Sequence, residues 1–132
     1  MGFVVADIAS AAEGFARSLG TRWDGRIWED PLQRAKVAFL ITHETEPQIE
    51  LVEPAWERSP VLRFLREKGG GLHHVCYEVR NVEDEMAGMK AGGAMIVNRP
   101  KPAVAFEGRR IAWMMAPGKL LIELLERPEP RP

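Results

Sequence analysis

The residues best equipped for chemistry lie in Gly71-Leu72-His73-His74-Val75-Cys76-Tyr77-Glu78-Val79-Arg80, which holds two of the three histidines. The stretch follows a glycine run and ends on a helix-start signal, so it reads as a β-strand whose successive side chains point to opposite faces. His74, Cys76 and Glu78 then share one face, and Val75, Tyr77 and Val79 the other. A face of imidazole, thiol and carboxylate backed by an apolar one suits a lined site better than plain core. Imidazole and carboxylate donors are also ligands of zinc-type divalent ions. Any carboxylates that meet His74 must come from elsewhere in the chain.

An internal repeat supplies them. Met1 to Ala6 is a short apolar strand, and Asp7 caps a helix in which Ile8, Ala11, Ala12, Phe15 and Leu19 recur at helical spacing up to Gly20. Thr21 to Trp28 and Ala35 to Thr42 are predicted strands with Glu29 to Arg34 turning between them. Gln48 to Glu53 is another, stopped by Pro54. Ser59-Pro60 opens a connecting helix whose apolar side is Val61, Leu62 and Phe64-Leu65, ended by Gly69-Gly70-Gly71. After the histidine strand the order runs again. Asn81 caps a helix with Val82, Met86 and Met89 on one side, Gly92-Gly93 closes it, and Ala94 to Val97, Arg109 to Met115 and Lys119 to Glu126 are the later strands.

Both halves therefore read β-α-β-β-β. Val79-Arg80-Asn81-Val82 lies over Val5-Ala6-Asp7-Ile8, and Leu121-Ile122-Glu123-Leu124-Leu125-Glu126 over Gln48-Ile49-Glu50-Leu51-Val52-Glu53 at nearly the same spacing. The predicted organisation is one domain over 1–132: module one about 1–54, a connecting helix about 59–68, module two about 71–126 and a tail over 127–132. A pseudo-twofold relation between modules makes Glu50 and Glu123 partners and places the equivalent of His74 one residue before Met1. The pattern predicts a four-cornered divalent-metal site from His74, Glu50, Glu123 and that preceding position.

Bulk properties narrow the function. With 132 residues, 45% of them hydrophobic, the chain can bury one domain's core. The near balance of 18 Lys+Arg against 19 Asp+Glu, with no basic cluster, argues against a nucleic-acid partner. No apolar run reaches membrane-spanning length, and the single cysteine fits a reducing cytoplasm.

Met1-Gly2-Phe3-Val4-Val5, Ser59-Pro60 with Phe64-Leu65, the Gly71-to-Val79 block and Leu121-Ile122-Glu123-Leu124 together resemble the vicinal oxygen chelate (glyoxalase/bleomycin resistance) superfamily, most closely its methylmalonyl-CoA epimerases. The resemblance implies an α+β fold: two tandem βαβββ modules forming an open, cavity-containing mixed β-sheet barrel with flanking helices. It implies one divalent metal ion (cobalt, manganese, zinc, nickel or iron), with His74, Glu50 and Glu123 as ligands, Glu123 and Glu50 as the proton-transferring carboxylates, and a homodimer. The substrate would be a small carbonyl compound, an acyl-CoA thioester among the candidates, that loses and regains a proton beside a metal-bound carbonyl. A glyoxalase-like lyase and a non-catalytic binding protein of the bleomycin-resistance type are the alternatives. Two departures stand out. The family's first-strand histidine falls before Met1, and Met114-Met115-Ala116-Pro117-Gly118-Lys119 stands where epimerases carry a His-Pro-Lys turn.

Other conspicuous residues have plainer readings. His73 reads as a packed or surface histidine and His43 as a loop residue. Cys76 reads as an apolar filler, Glu78 as part of the cavity mouth, and Trp23, Trp28, Trp56 and Trp113 as core, rim or interface.

Overall fold

The computed structural model describes residues 1–42 and 48–128, so His43 and the last four tail residues lie outside the described residues. The chain divides into two compact units, Met1–His73 and His74–Pro132.

In the first unit, strand β1 (Gly2–Val4) leads into helix α1 (Ile8–Leu19), then β2 (Trp28–Asp30), β3 (Ala35–Leu40), β4 (Ile49–Pro54) and helix α2 (Pro60–Lys68). The strands lie in the order β2-β3-β4-β1, antiparallel except for the parallel β4–β1 pair. Alternation along β4 sends Ile49 and Leu51 towards α1, against Ile8, Ala12, Ala38 and Leu40. On the reverse face Val52, Val4 and Ala35 pack with Val61 of α2. Glu50 belongs to that second face.

The second unit repeats the plan. It carries β5 (Gly71–Val79), α3 (Val82–Ala91), β6 (Met95–Pro102), a 3-10 turn (Val104–Phe106), β7 (Arg110–Ala116) and β8 (Leu120–Glu126). Its strand order is β5-β8-β7-β6, with β5–β8 the parallel pair. Val82 and Met86 of α3 cover Ala112, Met114, Ile122 and Leu124. The reverse face holds Ala103, Ile111 and Leu125 with Cys76, Phe106 and Trp113.

The repeat reaches individual hydrogen bonds. Asp7 Oδ2 accepts from the Ser10 amide and Asn81 Oδ1 from the Asp84 amide, each at 2.9 Å. In both modules the last residue of the aligned strand motif supplies a second cap. Glu53 accepts from the Ile8 amide at 2.9 Å and Glu126 from the Val82 amide at 3.1 Å. A cation at the equivalent place steadies each carboxylate: Lys36 beside Glu53 at 3.9 Å and Arg110 beside Glu126 at 2.7 Å. Each helix start is thus tied to the end of a strand over 40 residues away in sequence.

Several boundaries differ from the sequence expectation. No strand spans Thr21 to Trp28; Arg22 makes one bridge to Ile41, and the strand begins only at Trp28. Asp24 accepts from the Arg26 amide at 2.9 Å and Gly25 takes φ +84, which turns the chain there. Glu29 and Asp30 are strand residues, and the turn that follows is held by Asp30 Oδ1 accepting from the Leu32 and Gln33 amides. Strand β4 includes Pro54 rather than stopping before it. Strand β6 runs on to Pro102 through two register shifts; it is the edge strand, where the missing N–H groups of Pro100 and Pro102 are tolerated. Leu19 is exposed. Arg127 is not free tail, since its amide bonds to the Val79 carbonyl at 2.8 Å. Ser59 sits at the N-cap of α2 but makes no side-chain cap bond, leaving Pro60 to start the helix. Among the described residues no helix is long and apolar enough to cross a membrane.

Two predictions follow from this scaffold. The Arg110 guanidinium holds the Glu126 carboxyl below the usual carboxylate range. Its contribution is therefore present above that range and fades as pH falls through the lowered value. Glu126→Ala should cost about 1 kcal/mol at neutral pH in urea unfolding, and the gap from the parent should shrink in acid. Gly70 has φ +100, and a Cβ there would lie 2.7 Å from the Val4 carbonyl oxygen. Gly70→Ala should lower stability by roughly 1–3 kcal/mol, read from the same unfolding midpoint.

Candidate metal centre

Strand parity alone leaves two directions for Glu123, solvent or the reverse face, because Ile122 and Leu124 both pack towards α3. The residue is 3% exposed, which removes solvent. His74 is 2% exposed on the parallel neighbour β5, where Cys76 is the register partner of Glu123. The two side chains meet across the strand pair, with His74 Nε2 3.6 Å from Glu123 Oε1. That separation is too long for a hydrogen bond. Among the described residues Glu123 Oε1 has no hydrogen-bond partner.

A buried carboxylate oxygen left without a donor is costly, and buried polar groups are normally satisfied. A divalent cation between the two groups would satisfy it. Oxygen and nitrogen ligands stand about 2.0–2.2 Å from zinc-type ions, so two donors sharing one ion at a tetrahedral angle lie about 3.4 Å apart. The observed spacing is close to that, and the donor types match, so the residues present fit a metal. The Trp113 indole packs edge-to-face on the His74 imidazole, with centroids 4.7 Å apart and planes at 85°. Trp113 is also the register partner of Glu123 on β7. The sequence reading placed Trp113 only among core, rim or interface residues; its contact with His74 depends on the β7–β8 register.

Glu50 stands on β4 in the first unit, between Gly2 on β1 and Phe39 on β3, and its amide bonds to the Met1 carbonyl at 2.8 Å. Glu123 stands between Cys76 on β5 and Trp113 on β7. The registers therefore make Glu50 and Glu123 structural equivalents, as the repeat predicts. The other candidates separate cleanly. Cys76 packs beside Ile111 and Leu125 as an apolar filler, and His73 packs against the Phe64 ring at 4.9 Å. Glu78, expected at a cavity mouth, instead pairs with Arg109 at 2.8 Å and Arg127 at 3.4 Å.

Comparison with known proteins agrees with this geometry. The family model described as glyoxalase/bleomycin resistance protein/dioxygenase superfamily matches residues 1–113. The chain belongs to this superfamily. It is 30% identical to an ethylmalonyl-CoA/methylmalonyl-CoA epimerase of Cereibacter sphaeroides, over 83% of this chain and 81% of that one. A hypothetical protein from Bacillus halodurans superposes with a TM-score of 0.83 at 29% identity, covering 99% of this chain and 94% of its own. A methylmalonyl-CoA epimerase from Mycobacterium tuberculosis gives 0.81 at 27% identity, covering 99% and 85%. The α+β superfamily fold, with its paired βαβββ modules, is the fold of this chain.

The unpartnered oxygen yields a stability prediction. In metal-free protein, Glu123→Met removes the orphaned group while keeping a similar volume. The variant should match or exceed the parent by about 1 kcal/mol in unfolding free energy. A loss of several kcal/mol would mean that the carboxylate is satisfied by the fold alone.

Proposed function

We propose that the chain is a metal-dependent epimerase of the methylmalonyl-CoA type, with His74, Glu123 and Glu50 as ligands of one divalent ion. The observation that carries this reading is the buried His74–Glu123 pair with its unpartnered oxygen. Glu50 enters through its register equivalence to Glu123, and the acyl-CoA substrate through likeness to the epimerases.

When bound there, such an ion supplies Lewis acidity to a substrate carbonyl, easing loss of the proton on the adjacent carbon. The protein's own groups do the rest. The His74 imidazole would hold the ion, and a ring nitrogen engaged in that way would present no acid. Glu123 and Glu50 would then exchange the proton, one carboxylate taking it and the other returning one. Glu123 is 3% exposed, so its carboxylate is shielded from bulk water. The resemblance implies a glutamine at this ligand position in epimerases and a glutamate in glyoxalases, so Glu50 favours glyoxalase-like isomerisation of a hemithioacetal as the second reading.

The test is deuterium wash-in at C2 of methylmalonyl-CoA in D2O, followed by NMR with cobalt-loaded protein. The parent should exchange the proton with about one metal per chain, and Glu123→Gln should slow exchange by about a hundredfold or more. Metal binding without any exchange would overturn the epimerase reading. Turnover of a hemithioacetal in that case would establish the lyase.

A further inference from the structure

We infer that Trp113 is the positioning residue for His74, holding the imidazole so that Nε2 faces Glu123; the inference rests on the metal-site reading above. An imidazole turns about χ2 in a broad, roughly two-fold well, so strand geometry alone does not fix which edge of the ring faces Glu123. Metal-binding histidines commonly have their orientation set by a neighbouring group, usually a hydrogen-bonding one. Here a wall is built for that purpose. The Trp113 ring stands at 85° to the His74 ring with centroids 4.7 Å apart, which suits an edge-to-face aromatic pair.

The wall is itself braced. Trp113 packs against the buried cluster of Ala103, Ile111 and Leu125 on the face opposite α3, as Cys76 and Phe106 also do. Its backbone is paired with that of Glu123 through the antiparallel β7–β8 register. The same strand pair thus fixes both the carboxylate and the surface that orients the imidazole. Turning His74 out of its present orientation would give up the edge-to-face contact with Trp113, a ring held in place by its packing. Module one has Phe39 at the equivalent register position beside Glu50, so an aromatic ring next to the last-strand glutamate is a feature of both modules.

The experiment compares Trp113→Phe and Trp113→Leu with the parent. Phe keeps an aromatic wall, whereas Leu keeps apolar volume without a ring and so guards against a variant that fails to fold. Cobalt affinity is measured by competition with a chromophoric chelator, and the His74 ring signals are recorded by NMR in metal-free protein. Trp113→Leu should weaken cobalt binding about tenfold and Trp113→Phe less than about threefold. In metal-free parent the His74 ring protons should carry a ring-current shift from the indole, and in Trp113→Leu that shift should vanish and the ring signals broaden. A Leu variant that binds cobalt as the parent does, with unchanged His74 signals, overturns the inference. If the parent binds no cobalt, the metal-site reading fails, and the metal-free NMR comparison still decides whether Trp113 orients His74.

Discussion

Everything in this chain's candidate chemistry depends on one uncompensated burial. Glu123 is placed mid-strand, flanked by Ile122 and Leu124, and those two neighbours are committed to the core beneath α3. The pleat then drives its carboxylate to the opposite face, where it is buried with an oxygen that no described residue donates to. The loss on that oxygen is of the order of 1–3 kcal/mol, a noticeable fraction of a small domain's stability. Keeping such a group is a common mark of a functional site, and the His74 imidazole beside it makes a donor pair of the kind that suits a divalent cation.

The scaffold that meets this cost is built twice. In each module the first and last strands pair in parallel, and a glutamate at the end of the last strand caps the helix that links the first strand to the rest. These caps lock the ends of the helix–strand unit, so the register that places Glu50 or Glu123 cannot slip by one residue without breaking them. Slippage by one would turn every side chain of the strand to the wrong face. The structural glutamates at 53 and 126 therefore protect the position of the candidate site residues at 50 and 123.

Much of this was legible in the sequence because the repeat is written in similar residues at similar spacing. Asp7 and Asn81, then Ile49-Glu50-Leu51 and Ile122-Glu123-Leu124, mark equivalent points without any coordinates. Alternation puts His73 and His74 on opposite faces, the repeat and the family resemblance favour His74, and its burial agrees with that choice. What stayed hidden depended on contacts between distant residues. Glu53 and Glu126 look like ordinary strand residues until their helix amides arrive. Pro100 and Pro102 argue against a strand unless one knows that β6 lies at an edge. Trp28 enters its strand late because Asp24-Gly25 turns the backbone first, and the contact of Trp113 with His74 depends on the pairing of β7 with β8.

The measurement that bears most directly on the central claim is anomalous scattering from crystals grown with cobalt, collected on both sides of the cobalt edge. The account predicts one strong peak within about 2.3 Å of both His74 Nε2 and Glu123 Oε1. No peak there at saturating cobalt, with the carboxylate instead hydrogen-bonded within the protein, would contradict it.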